Sequence, residues 1–184
     1  MTIQTVAILV GVGLALTGYL ATYMNNLLAE RRREKLAFIN KQLTAFYGPL
    51  YVVSVVGRTA YDALVSKLSR HHDPNLDSPL AEAELAEWRL WVMNVFMPMN
   101  LWCERILLEN AHLLRERDIP PCMLQFVTHV SAYKAVVKKW EAGDYSEQFS
   151  LIDFPEELRT FATQAYLELK TEQLRLIGKV QGGQ

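Results

Sequence analysis

The first charge in the chain is Glu30, and nothing constrains the fold more than the stretch before it. Residues 3–24, IQTVAILVGVGLALTGYLATYM, are 22 uncharged residues in a row. As a helix rising about 1.5 Å per residue they reach about 33 Å, enough to cross the hydrocarbon of a bilayer. In lipid the backbone must satisfy its own hydrogen bonds, so a helix is required there and Gly11, Gly13 and Gly18 are tolerated within it. A cleaved signal peptide needs a basic n-region and a small-x-small site. MTIQT has no Lys or Arg, and the best site, Ala15-Leu16-Thr17, would cut through the apolar run. Residues 1–29 therefore read as a retained transmembrane anchor.

Arg31, Arg32, Arg33 and Lys35 follow directly, and only the α-amino group is basic on the other side. The positive-inside bias then places the bulk of the chain in the cytoplasm, as a single-pass protein of the cell (inner) membrane. The same four side chains suit anionic headgroups, each contact contributing about 1 kcal/mol. Ala7, Gly11, Ala15, Gly18 and Thr22 recur at spacings of four and three, laying small residues along one helix face where a second helix can approach closely. The expected partners are membrane lipid and either a second copy or another membrane protein.

Composition narrows the remainder. Over the whole chain 21% of residues are charged and 10% aromatic, with 7 Pro and 9 Gly, which excludes low-complexity and disordered classes. Only 2 Cys are present, Cys103 and Cys122, so a disulfide scaffold is excluded. Without a CxxC they indicate neither zinc nor thiol exchange, and in the cytoplasm they read as free core thiols. A net charge of −1 argues against a protein built to grip nucleic acid. GxxxxGK[ST] and GxGxxG are absent, the GVG at residues 11–13 is membrane glycine, and the terminal Gly182-Gly183-Gln184 has no domain to support a release-factor reading.

Helix-period segments fill the rest. Leu36, Ile39, Leu43 and Phe46 continue from the anchor as a stalk, residues 30–48. Tyr47-Gly48-Pro49 should interrupt it with a kink or tight turn, because Pro49 lacks an N–H and pushes Gly48 away from helical angles. The next segment opens with LYVVSVV, which alone could be a strand, but Gly57, Ala60, Leu64 and Leu68 favour helix to about Arg70. The polar stretch from His71 to Pro79 forms a loop, His71-His72-Asp73 reading as solvated and Asp77 or Ser78 as a helix cap. A third ladder holds Leu85, Trp88, Val92, Val95, Met99, Trp102, Ile106 and Leu113, with Pro98 inside it, so a kinked helix is expected. Cys122, Phe126, His129, Tyr133, Val136 and Trp140 share a fourth face, closed by Ala142-Gly143-Asp144. Pro155-Glu156-Glu157 starts the last helix, whose ladder runs from Leu158 to Ile177. Such apolar stripes bury only against one another. The fold class is all-α: the transmembrane helix, then a cytoplasmic antiparallel bundle of about four helices over residues 49–180, and a flexible tail at 181–184.

Few residues carry chemistry. Glu109-Asn110-Ala111-His112 is a single Glu-x-x-His, where a di-iron bundle needs two. Glu109 and His112, with Glu104 and with His129 of the next helix, are the weak metal or haem candidates; no metal and no cofactor is expected. No Ser-His-Asp trio can be chosen by spacing. Asn94, Asn100, His129 and Tyr133 interrupt apolar faces near Pro98 and read as a polar pocket for a small ligand, or else Asn100 serves a backbone carbonyl freed by the proline. Met93, Met97 and Met99 near Trp88, Trp91 and Trp102 fill irregular core space or wall a ligand. The leading expectation is a non-catalytic, membrane-tethered bundle acting as an oligomeric scaffold or as an accessory or adaptor subunit of a membrane assembly. The alternatives are a small-ligand sensor signalling through the Tyr47-Gly48-Pro49 joint, and a metal or haem redox protein.

Overall fold

The computed structural model describes residues 2–71 and 81–181. It is all-helical, 85% helix with no strand among the described residues, and forms about four helices besides the short turns. Helix α1 spans Ile3–Gln42, a π turn covers Leu43–Tyr47, and α2 spans Gly48–His71. Then come α3 (Glu82–Trp91), a second π turn (Val92–Phe96), α4 (Met97–Glu109), a 3-10 turn (Ala111–Leu113), α5 (Pro121–Glu141) and α6 (Glu157–Gln181). The polar loop with its Asp77 and Ser78 caps, and the tail beyond Gln181, lie outside the described residues. The chain divides into two compact units, Met1–Asn40 with Thr171–Gln184, and Lys41–Lys170.

In the first unit one helix is long and apolar enough to cross a membrane, and its most apolar stretch is 0% buried. Lys35 pairs with Glu172 at 2.6 Å, and Gln173 Nε2 donates to Asn40 Oδ1 at 2.6 Å. Ile39 and Leu176 are buried there.

The second unit holds the bundle core. Its most deeply buried side chains include Phe46, Tyr47 and Leu50 from the first segment, Val92 and Cys103 from the proline-containing helix, Phe126 and Val130 from α5, and Leu158 and Leu169 from α6. Two features of its backbone correct the sequence-based expectation.

The first concerns the two internal prolines. Tyr47-Gly48-Pro49 does not break the helix: Gly48 keeps right-handed helical angles (φ −65°, ψ −55°) and α2 starts at it. The chain instead widens by one residue. The Gly48 N–H bonds to the Leu43 carbonyl, and at the second π turn the Met97 N–H bonds to that of Val92, each five residues back rather than four. In both cases the donor immediately precedes a proline, Pro49 or Pro98. A proline ring in a regular helix collides with the carbonyl four residues behind it, and widening the turn by one residue relieves that collision without ending the helix.

The second follows from the first. An inserted residue advances the inward face, so the ladder predicted through Val95, Met99 and Trp102 shifts by one position. Cys103 is 2% exposed, whereas Trp102 is 48% exposed. Met97 and Glu104 are buried beside Cys103.

Segment ends follow ordinary capping chemistry. Glu84 accepts the Ala81 N–H at 2.7 Å, opening α3. Gly143, at φ +80°, closes α5 in the left-handed region that suits a residue without Cβ. Its N–H goes to Trp140 at 3.0 Å and that of Asp144 to Lys139 at 2.9 Å, the paired bonds of a Schellman end.

Candidate functional site

A cavity of about 380 Å³ lies in the second unit, between α2, the proline-containing helix α3–α4, α5, the segment joining α5 to α6, and the start of α6. That volume falls in the range of small-molecule sites. Its walls are mostly aromatic and aliphatic: Tyr61 from α2, Trp88 from α3, Phe96 from the second π turn, Phe126 from α5, and Phe149 and Phe154 from the connecting segment. Gly57 leaves room on the α2 side, where an added Cβ would meet only the Met99 methyl, at 3.5 Å.

The connecting segment, residues 142–156, is irregular yet firmly held. Trp140 Nε1 donates to the Glu147 carbonyl at 2.7 Å and Trp88 Nε1 to that of Gln148 at 3.1 Å. Gln125 Nε2 donates to the Asp153 carbonyl at 3.3 Å. Arg89, buried on α3, binds Gln148 Oε1 at 3.1 Å, pairs with Glu82, and stacks its guanidinium 4.4 Å over the Tyr145 ring. Side chains thus supply the hydrogen bonds that a helix would otherwise have given this backbone.

Three of the four residues predicted for a polar pocket line this cavity: Asn100, His129 and Tyr133. Asn94 does not. It is exposed, and its amide donates to the Leu90 carbonyl at 2.8 Å. The bond expected between Asn100 and a carbonyl freed by Pro98 is not made, and Asn100 has no hydrogen-bond partner among the described residues.

His129 is 7% exposed. Its Nδ1–H donates to the Ile152 carbonyl, which fixes Nε2 as the acceptor of the neutral ring. Burial pushes its pKa below the ordinary 6.5, against the weaker opposing pull of the Ile152 hydrogen bond and the Asp153 carboxylate. Its ring meets Tyr133 and Phe154 edge to face, with centroids 5.4 and 5.6 Å away. Burial pushes the Tyr133 phenol up to about 12, so it stays protonated, and its hydroxyl lies 3.5 Å from the Gln148 carbonyl.

The metal candidates are not brought together. Helix α4 stops at Glu109, and Asn110 leaves helical angles (φ −115°, ψ 17°), so Glu109 and His112 do not stand on successive turns of one helix. Both are exposed, and His129 is engaged elsewhere. Glu104 pairs with Lys134 at 2.7 Å. Among the described residues no group of three His, Cys, Asp or Glu could hold a metal ion. Cys103 and Cys122 are free thiols; Cys103 lines the cavity, and burial pushes its pKa up to about 12. Of the predicted Met and Trp wall, Met97, Met99 and Trp88 face the cavity, whereas Trp91 donates to Glu87 at 2.9 Å and Met93 is exposed.

On the N-terminal helix, Gly11, Ala15, Gly18 and Thr22 are all exposed, while the side chain of Ala7 lies outside what is described. A Cβ added at Gly11, Gly13 or Gly18 would meet nothing within 4 Å. Thr22 Oγ1 donates to the Gly18 carbonyl at 2.9 Å, and Thr17 Oγ1 to that of Gly13, so both hydroxyls are satisfied within the helix. Arg31, Arg32 and Arg33 are exposed, and Lys35 is engaged with Glu172. Periodicity alone gave Gly57 only as a helix position and missed Arg89 and the connecting segment; Phe149, Ile152 and Phe154, apolar residues in an otherwise polar stretch, were the available signal. Compared with models of known families, with curated proteins and with solved structures, the chain matches none.

Proposed function

We propose that this is a single-pass membrane protein whose cytoplasmic helical bundle serves as a scaffold or accessory subunit of a membrane assembly. One observation carries the reading: the apolar N-terminal helix presents its most hydrophobic stretch with no protein covering it, an arrangement that costs free energy in water and none in lipid. The internally satisfied Thr17 and Thr22 hydroxyls suit a medium without water, and exposed Arg31 to Arg33 suit the headgroup layer on the cytoplasmic side. The small faces of Gly11, Ala15 and Gly18 are open to a second helix. Full-length protein should stay in the membrane pellet after alkaline carbonate washing and run in mild detergent as an oligomer or with a partner. Replacing Gly11 and Gly18 by Leu should break that association while membrane retention persists. Recovery in the soluble fraction, or as a lone monomer, would overturn the reading.

A second reading is favoured by the cavity: the bundle binds a small molecule beside the Pro98 π turn. It is tested by a ligand-induced rise in melting temperature, which Asn100→Leu or Tyr133→Phe should reduce.

A further inference from the structure

The cavity has an inner polarity that selects among ligands. Four charged side chains reach its lining, Arg58, Arg159, Asp153 and Glu156, and their charges cancel. Arg58 is moreover engaged by Asp62 at 2.8 Å and Glu156 at 2.7 Å. A carboxylate or phosphate therefore finds no net positive field there to offset its loss of hydration.

Most polar atoms on the wall are spoken for. Ser54 donates to the Tyr51 carbonyl at 2.9 Å, and Ser150 Oγ accepts from the Ile152 N–H at 3.2 Å. Two groups are not. With Nδ1 committed to Ile152, His129 Nε2 has no partner among the described residues, and neither has the Asn100 carboxamide. One is a pure acceptor in the neutral ring; the other can donate or accept. The surrounding aromatic rings offer edges and faces to a flat apolar body.

We propose, resting on the ligand-binding reading above, that the cavity takes an uncharged, ring-bearing apolar molecule with one hydroxyl or N–H, which donates to Nε2 of His129 while the ring occupies the space beside Gly57. Asn100 supplies a second polar contact from the α4 side. The Pro98 π turn is part of the site's construction, since the residues just after it, Met99 and Asn100, both line the cavity. A carboxylic acid of the same shape is excluded by its charge, and a plain hydrocarbon leaves Nε2 unmet.

The test uses three probes of one skeleton on the full chain in detergent: 4-hydroxybiphenyl, biphenyl and biphenyl-4-carboxylate, followed by tryptophan fluorescence and melting temperature. 4-Hydroxybiphenyl should bind at least about tenfold more tightly than either of the others. His129→Asn, whose amide can still donate to the Ile152 carbonyl but lacks an acceptor at Nε2, should abolish the preference for the phenol over biphenyl; Asn100→Leu should weaken the phenol several-fold. Equal binding of biphenyl and 4-hydroxybiphenyl overturns the assigned ligand class and leaves ligand binding standing. Tightest binding by the carboxylate overturns it in favour of an anion on Arg159. No response to any of the three overturns the ligand-binding reading itself.

Discussion

Gly48 sits directly against the Leu43 carbonyl: a Cβ on it would stand 2.3 Å from that oxygen. The contact is backbone to backbone and cannot be relieved by a rotamer change. Gly48→Ala should therefore destabilise the fold by about 1–3 kcal/mol, the usual range for forced overpacking. Gly57→Ala is the matched control, since its Cβ would make only ordinary contact with Met99 at 3.5 Å. That change should be neutral or stabilising by up to about 1 kcal/mol from helix propensity. Urea denaturation of both variants gives the comparison, and equal effects would contradict the π-turn account.

Glu104 is 8% exposed and accepts both of its hydrogen bonds from Lys134 Nζ, at 2.9 and 2.7 Å. Lys134→Met leaves a carboxylate in the core without its cation. Because the Lys134 side chain is 45% exposed, the cost should be about 1–3 kcal/mol, below that of a fully buried pair. The double variant Glu104→Gln/Lys134→Met should be more stable than Lys134→Met alone. A double-mutant cycle showing simple additivity would mean that the pair contributes nothing.

Because burial lowers the His129 pKa below 6.5, the unfolded chain takes up this proton at a higher pH than the folded one. The stability that His129 contributes is thus fully present above pH 6.5. It is lost as pH falls from there through the folded pKa. Melting temperature should drop between about pH 7 and about pH 5, and His129→Asn should flatten that drop. Asp153 works against the effect, so Asp153→Asn should steepen it. An unchanged slope in both variants would remove His129 from the account.

Thiol chemistry separates the two cysteines. Burial pushes both thiols up, Cys103 to about 12, but Cys103 is 2% exposed whereas Cys122 is partly open. An Ellman titration of native protein should modify Cys122 first and reach Cys103 only on unfolding, because the thiolate is the attacking species. Cys122→Ser should accordingly leave almost no fast-reacting thiol.

The helices were legible because their apolar spacing follows directly from burial, as with Leu158, Ala162, Ala165 and Leu169 on one face of α6. Gly143 was legible as a helix end for a local reason, its left-handed backbone. The prolines were legible as irregularities, but not in kind. A broken helix and a widened one both place a proline after an apolar run, and only the Gly48 N–H reaching back to Leu43 distinguishes them. From that ambiguity came the shifted ladder, in which Trp102 stands inward although it is exposed. His129 and Tyr133 stood out in the sequence because polar groups on an apolar face must be satisfied by something. The carbonyls that satisfy them belong to residues 148–152, in a segment without periodicity, so no spacing rule could supply the partners.

The second π turn also governs which sequence lengths this helix tolerates. Deleting one residue within Val92–Phe96 would restore a regular ladder of hydrogen bonds at the cost of the Pro98 collision, and would leave the facing of everything downstream unchanged, because the widened turn holds that residue within itself. Cys103 would stay inward and Trp102 outward, so a homologue lacking that one residue should keep the same downstream pattern and carry something other than proline in place of Pro98.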